Sequence, residues 1–265
     1  MPENNRTWKP VLILGAGYVG RFVYELQAEQ GNFYVTSRRG RADGCGSTQF
    51  PFLFDLSRPE TWHVVERFDS IIWTFPAAQE QSDIARSIEF FDSMALHQKN
   101  VMILGSTSCF KVFLPGGLVD ESCSLDLSQP RVVAEEELRK KSAFILCLSG
   151  IYGPGRDPCR WLLNGLVQHA ASFINLIHIS DILEIVKRWQ ERSDLAGARL
   201  IASDGRIRRW NELVDQLKSA SMIPSDFQLE EMLSKEGPNS KQISNEKLKA
   251  TLYSGPFHLF PEEGL

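Results

Sequence analysis

The chain has 265 residues, 43% of them hydrophobic and 23% charged, with a formal net charge of −4 and a pI near 5.8. These values suit one large soluble α/β domain, alone or with a small appendage, and without an extended basic stretch they argue against a nucleic-acid partner. No apolar run approaches the ~20 residues needed to span a bilayer, and the polar segment Met1–Pro10 has no signal-peptide core. The five cysteines are scattered and lack CxxC spacing, so no disulfide framework and no metal site is expected, and a reducing, cytoplasmic setting is the default.

Taken in chain order, short apolar runs alternate with helical patterns, which predicts parallel βαβ units. Val11-Leu12-Ile13-Leu14 reads as a strand and leads into Gly15-Ala16-Gly17-Tyr18-Val19-Gly20. Val19, Phe22, Val23 and Leu26 then recur at helical spacing, and Gly31 falls where a C-cap would. Further strands are predicted at Phe33–Thr36, Pro51–Phe54, Ser70–Thr74, Val101–Gly105, Ala143–Leu148 and Leu176–His178, with one more at Leu200–Ala202. Helical segments are predicted at Thr61–Arg67, Ile84–His97, Arg131–Lys140, Trp210–Ala220, Phe227–Leu233 and Asn245–Leu252. The runs are continuously apolar rather than alternating, as for strands covered on both faces. The expectation is a doubly wound, mostly parallel Rossmann sheet over residues 1–150, rejoined by the chain at about 174–203. Residues 151–173 and 204–265 would form a small α+β lobe on the substrate side.

The Gly-x-Gly-x-x-Gly turn between strand and helix points to a bound dinucleotide. Gly15 permits the tight turn, Gly17 lets backbone approach a pyrophosphate, and Gly20 allows close helix–strand packing. The helix start offers N–H groups to phosphate. The alternative is a glycine-rich surface turn without a ligand. An NAD site places a carboxylate after the second strand to hold the ribose 2′-OH. Here the stretch reads Thr36-Ser37-Arg38-Arg39. Ser37, Arg38 and Arg39 suit a 2′-phosphate through charge-assisted hydrogen bonds, which favours NADP(H) over NAD(H). A basic loop facing solvent is the competing reading.

Further landmarks follow in order: Phe54-Asp55-Leu56, Leu104-Gly105-Ser106-Thr107-Ser108, Val119-Asp120-Glu121, Leu148-Ser149-Gly150-Ile151-Tyr152-Gly153-Pro154-Gly155-Arg156, His178-Ile179-Ser180-Asp181 and Lys241-Gln242-Ile243-Ser244-Asn245. With the glycine turn, this series resembles the extended short-chain dehydrogenase/reductases, the NAD-dependent epimerase/dehydratase group. It is most similar to small atypical members whose standard active site is incomplete. The resemblance implies that Asp55 and Leu56 lie near the adenine, although Asp55 would serve equally well as a cap of the following turn. It also implies that Thr74, Phe75 and Pro76 line the ribose and pyrophosphate side.

Enzymes of that family use a Ser/Thr, a Tyr and a Lys. Ser106 matches the hydroxyl position, whereas Leu127 stands at the Tyr position and Arg131 at the Lys position. Leu127 carries no proton, and Arg131 is too basic for tuned acid–base work but can hold an anion. Tyr152 is the nearest substitute by fold, with core packing as its bland alternative. Thr107 and Ser108 are candidate supporting hydroxyls. Glu121 can serve as an acid if desolvated or be a plain loop residue, and Arg156 can anchor an anionic substrate or make a surface ion pair. His178 and Asp181 read as structural, and Cys109 would be a nucleophile only with a low pKa.

The expected function is NADP(H) binding in a reductase- or epimerase-like protein acting on a small polar carbonyl or hydroxyl compound, sugar-derived compounds included. The alternative is a non-catalytic dinucleotide-binding sensor. The resemblance also implies a homodimer through the helices after the fourth and fifth strands; the stripe Ile84, Ile88 and Phe91 is compatible with that and equally with ordinary core packing.

Overall fold

A computed structural model describes residues 10–27, 32–38, 52–228 and 236–262. Gly31, Arg39 and most of the predicted helix Phe227–Leu233 lie outside the described residues. Seven strands form the main sheet: β1 (Val11–Leu14), β2 (Phe33–Ser37), β3 (Phe52–Leu53), β4 (Ser70–Trp73), β5 (Asn100–Ser106), β7 (Phe144–Leu148) and β11 (Arg199–Ala202). Their order is β11-β7-β5-β4-β1-β2-β3, and the pairings from β3 through β5 are parallel. β1 lies between β2 and β4, so the winding direction reverses there, and such a switch point opens a crevice at the strands' carboxyl ends. Every residue of β1 is fully buried, which explains the unbroken apolar run.

The chain divides into two compact units. The first comprises the described residues up to Gly105, with Leu127–Leu146 and Gln190–Arg199. It contains α1 (Tyr18–Gln27), which buries Val19 and Val23, and α2 (Gln81–Ser93), which packs on α3 (Pro130–Lys140). A capping box starts α2: the Asp83 carboxylate accepts from Gln79 N and Glu80 N, and Asp83 Oδ1 pairs with Arg86. The helix stops before Ala95, which has a left-handed φ of 49°, so the predicted helix to His97 is cut short and Leu96–Gln98 forms a separate 3₁₀ turn. In the predicted stripe, Ile84 and Phe91 are buried and Ile88 is half-buried. The predicted helix Thr61–Arg67 is a 3₁₀ run over Pro59–Arg67.

The second unit comprises Ser106–Asp126, Cys147–Trp189 and the described residues from Leu200 on. It holds three two-stranded ladders. β6 (Leu118–Val119) pairs with β13 (Gln242–Ile243), β8 (Gly150–Tyr152) with β10 (Leu176–His178), and β9 (Phe173–Ile174) with β12 (Arg208–Arg209). Leu176–His178, predicted to rejoin the main sheet, is therefore a strand of its own small ladder. Its three residues are all buried, so an apolar run alone cannot say which sheet receives it. Helices α4 (Pro158–Leu163), α5 (Ile179–Trp189), α6 (Trp210–Ser219) and α7 (Glu246–Thr251) complete the unit. Its core gathers Tyr152, Leu162, Ile174, Leu213, Leu217 and Phe260. No helix among the described residues is long and apolar enough to cross a membrane.

Candidate functional site

The turn after β1 gives each glycine a distinct physical reason. Gly15 has a φ of +102°, and a Cβ there would lie 2.9 Å from Thr74 Oγ1. A Cβ on Gly20 would lie 2.1 Å from Gly15 O, so only glycine lets the helix approach the turn. Gly17 differs: a Cβ there would meet nothing within 4 Å, so this backbone faces open space. The first helical bond runs from Arg21 N to Gly17 O, so the N–H groups before it have no acceptor within the helix. Thr74, just past β4, donates from its hydroxyl to Leu14 O (2.9 Å) and Gly15 O (3.1 Å), which ties the two strand ends together at the switch point. Phe75 packs against Phe54 and Trp73, and Pro76 is exposed. Ala16, Tyr18 and Val19 complete the turn and the first residues of α1.

At the end of β2, buried Thr36 accepts from Gly15 N at 3.1 Å and donates to Ile13 O. Its hydroxyl supports the turn and is not available to a ribose. Ser37 ends β2 half-buried, and Arg38 follows in an exposed turn. Asp55 Oδ1 accepts from both the backbone and the hydroxyl of Ser57, the geometry of a turn cap. Burial opposes ionisation of Asp55, but the Ser57 bonds and then Arg38 and Arg58 hold its carboxyl below the usual range. Leu56 O accepts from Trp62 Nε1, which fastens the same turn.

On α3, Arg131 Nη1 pairs with Glu135 Oε1 at 2.7 Å, one helical turn on. Glu135 is fully buried and also faces Arg199 at 3.7 Å. Burial pushes its carboxyl up, against the pull of Arg131 and Arg199. It lies against Gly105, where a Cβ would come within 3.0 Å of Glu135 Oε2. Leu127 is 58% exposed. Arg131 thus holds its predicted helix position, with its guanidinium engaged by a carboxylate that was not anticipated.

In the second unit, Ser106 caps the short turn Thr107–Cys109 and accepts from both Ser108 N and Ser108 Oγ at 3.2 Å. The buried Thr107 accepts at its carbonyl from Lys241 Nζ (2.6 Å). Burial lowers the Lys241 pKa, offset in part by the Cys109 and Cys147 thiols beside it. Glu121 Oε1 accepts from Ile201 N at 2.8 Å, and burial raises its carboxyl against the pull of that bond. Tyr152 is buried in the core and donates from its hydroxyl to His258 O at 2.8 Å. That bond ties the phenol to the tail segment. Arg156 is exposed in the turn after β8. A cleft of about 510 Å³ opens beside Trp161, His169 and Trp210, and none of the residues predicted from sequence lines it.

The His178 ring packs between those of Tyr152 (4.9 Å between centroids) and His258 (4.5 Å), tilted to both. Burial, and then the neighbouring His258, pushes its pKa down to about 4, from 6.5 in the unfolded chain. The folded state therefore prefers the neutral ring. The associated stability is complete above pH 6.5 and is lost as pH falls from 6.5 toward 4, by about 3 kcal/mol. Urea midpoints should show His178→Phe closing on the native protein across that window. A stability gap constant with pH would refute the assignment.

The parallel sheet, the switch point at β1 and the glycine turn define a Rossmann-type α/β fold. The chain shares that fold with proteins of the NAD-dependent epimerase/dehydratase group. An epimerase from Methanothermobacter thermautotrophicus is 15% identical, with 97% of this chain and 90% of that one covered and a TM-score of 0.73. The dTDP-glucose 4,6-dehydratase of Bacillus anthracis, solved in complex with NAD, is 13% identical over 97% and 94% of the two chains, with a TM-score of 0.72. The UDP-glucuronic acid 4-epimerase of Bacillus cereus, also in complex with NAD, is 12% identical over 96% and 94%, with a TM-score of 0.70. No protein-family model and no curated protein matches the chain. At these identities the likeness is one of fold.

Proposed function

We propose that the chain binds a nicotinamide dinucleotide at the β1–α1 turn, with NADP(H) preferred over NAD(H). The observation that carries the reading is the open space over Gly17 at the sheet's switch point, beside a helix start suited to a pyrophosphate. The NAD-bound state of two structures that share the fold supports it. Such a cofactor supplies or accepts a hydride. The chain would act as an atypical short-chain reductase or epimerase-like protein on a small polar carbonyl or hydroxyl compound, including sugar derivatives. Ser106 would orient the substrate oxygen, Thr107 and Ser108 would support it, and Arg131 and Arg156 would attract an anionic group. Glu121 (raised by burial), Tyr152 or a water would supply the proton.

A second reading, a dinucleotide-binding sensor without turnover, is favoured by one specific observation. The Arg131 guanidinium is held by Glu135, and the family resemblance puts Leu127, which carries no proton, at the position of the proton-handling Tyr.

The cofactor preference rests on Ser37 and Arg38 at the end of β2, with Arg39 next in sequence and no carboxylate among them. NADPH should bind more tightly than NADH in a calorimetric titration. Replacing Arg38 and Arg39 together by Ala should remove most of that difference, since each charge-assisted bond contributes roughly 1.5–3 kcal/mol. Equal affinity of the native protein for both cofactors would overturn the preference.

A further inference from the structure

We propose that Asp181 and His258 form a proton-transfer site, in which Asp181 positions the imidazole and Nε2 of His258 takes the proton of a bound hydroxyl compound. Both residues belong to the second compact unit, and the site is independent of the dinucleotide reading.

Asp181, on the first turn of α5, is completely buried. Its two oxygens both serve His258: Oδ2 accepts from the backbone N–H at 3.0 Å, and Oδ1 lies 2.8 Å from Nδ1. Burial pushes the Asp181 carboxyl up and the contacts with His258 pull it back; in its ionised form the carboxylate only accepts, so the Nδ1 partner donates. The neutral ring then carries its proton on Nδ1 and keeps a lone pair on Nε2. No described residue takes up Nε2, and the side chain is 42% exposed. One ring nitrogen is thus buried on a carboxylate and the other faces outward.

The surroundings hold both the backbone and the ring of His258. Tyr152 donates to the carbonyl of His258, and the His178 ring stacks on the imidazole with a 31° tilt. His178 remains neutral through burial and does not compete for the Asp181 charge. The other charged or titratable groups facing Asp181 are Tyr253 and Asp204. The carboxylates of Asp181 and Glu184 add to burial in pushing Tyr253 up to about 12, so it stays a neutral phenol. Asp204 is itself paired with Arg208. The backbone bond alone would fasten the tail to α5. The second bond fixes the orientation and tautomer of the ring, which fastening does not need.

The chemistry is a proton transfer. The O–H bond of the ligand breaks, an N–H bond forms at Nε2, and the electron pair stays on the ligand oxygen. The resulting imidazolium is balanced by Asp181 through Nδ1–H. No oxidant or reductant enters. Water is the simplest such hydroxyl compound, which provides a probe.

The test is hydrolysis of p-nitrophenyl acetate by the full chain, where His258 would take the proton of the attacking water. His258→Asn keeps an amide N–H near the Nδ1 position, so the tail should stay bound to Asp181. The expected result is a rate about 10²-fold lower, with an unchanged circular dichroism spectrum and a normal solvent deuterium isotope effect only in the native protein. Equal rates in the native and substituted proteins would overturn the proposal. A ¹⁵N spectrum of the native imidazoles is a second measurement that needs no variant. It should show the Nδ1–H tautomer at high pH for His258, and the opposite tautomer would overturn the proposal.

Discussion

Gly17→Val should abolish NADPH binding while leaving the fold nearly as stable as the native one. The three glycines of the turn separate ligand effects from folding effects. At Gly15 and Gly20 an added Cβ collides with Thr74 Oγ1 or with Gly15 O, so substitution there disturbs the turn itself. At Gly17 the φ lies outside the left-handed region and an added Cβ meets no atom within 4 Å. A branched side chain is therefore tolerated by the protein and fills only the space claimed for the pyrophosphate. Calorimetric titration should show loss of binding, and thermal unfolding should shift little. A folded Gly17→Val protein with native NADPH affinity would place the ligand elsewhere.

Glu135→Ala should be among the most destabilising single changes in the first unit. The carboxylate is fully buried between Arg131 at 2.7 Å and Arg199 at 3.7 Å, and both arginines are largely buried as well. Removing it takes the carboxylate partner from the Arg131 guanidinium and leaves Glu136 as the carboxylate beside Arg199. Breaking a buried ion pair from one side costs about 3–5 kcal/mol. For a chain of this size that corresponds to a melting temperature lower by about 10 °C. Glu136 contacts Arg199 at 3.2 Å and already pairs with Arg139, so it can compensate only in part. Glu135→Gln preserves the shape and one oxygen acceptor and should lose less. A melting temperature within about 2 °C of native for Glu135→Ala would show that the network carries little stability.

The fold was legible where sterics act over a few residues. The run Val11–Leu14 and the three glycines after it announce a buried strand, a tight turn and a closely packed helix, and the structure places all three there. The apolar runs predicted as strands at Ser70–Thr74, Val101–Gly105 and Ala143–Leu148 likewise became central strands, over Ser70–Trp73, Asn100–Ser106 and Phe144–Leu148. Features without a period were not legible. The two-residue strands Leu118–Val119 and Gln242–Ile243 are too short to show alternation, although the second lies in the Lys241–Asn245 landmark. That landmark also contains Lys241, whose ammonium is carried to Thr107 O by this pairing. Glu135 was predicted on a helix, but no local pattern distinguishes a buried glutamate from a solvated one.

By itself the sequence determined the strand–glycine turn–helix unit, the apolar runs of the central sheet and the lack of a carboxylate at the end of β2. Each of these is a property of residue type within one or two turns of chain. Only the tertiary structure decided that Leu176–His178 pairs with Gly150–Tyr152, that Glu135 joins Arg131 to Arg199, and that His258 reaches Asp181 across 77 residues. The physical reason is the same in all three. Burying a charge or an apolar strand demands a partner, but the demand is for a chemical type, and many positions in the chain supply that type. Which ones answer is settled by the folded backbone, which brings a few of them within contact distance.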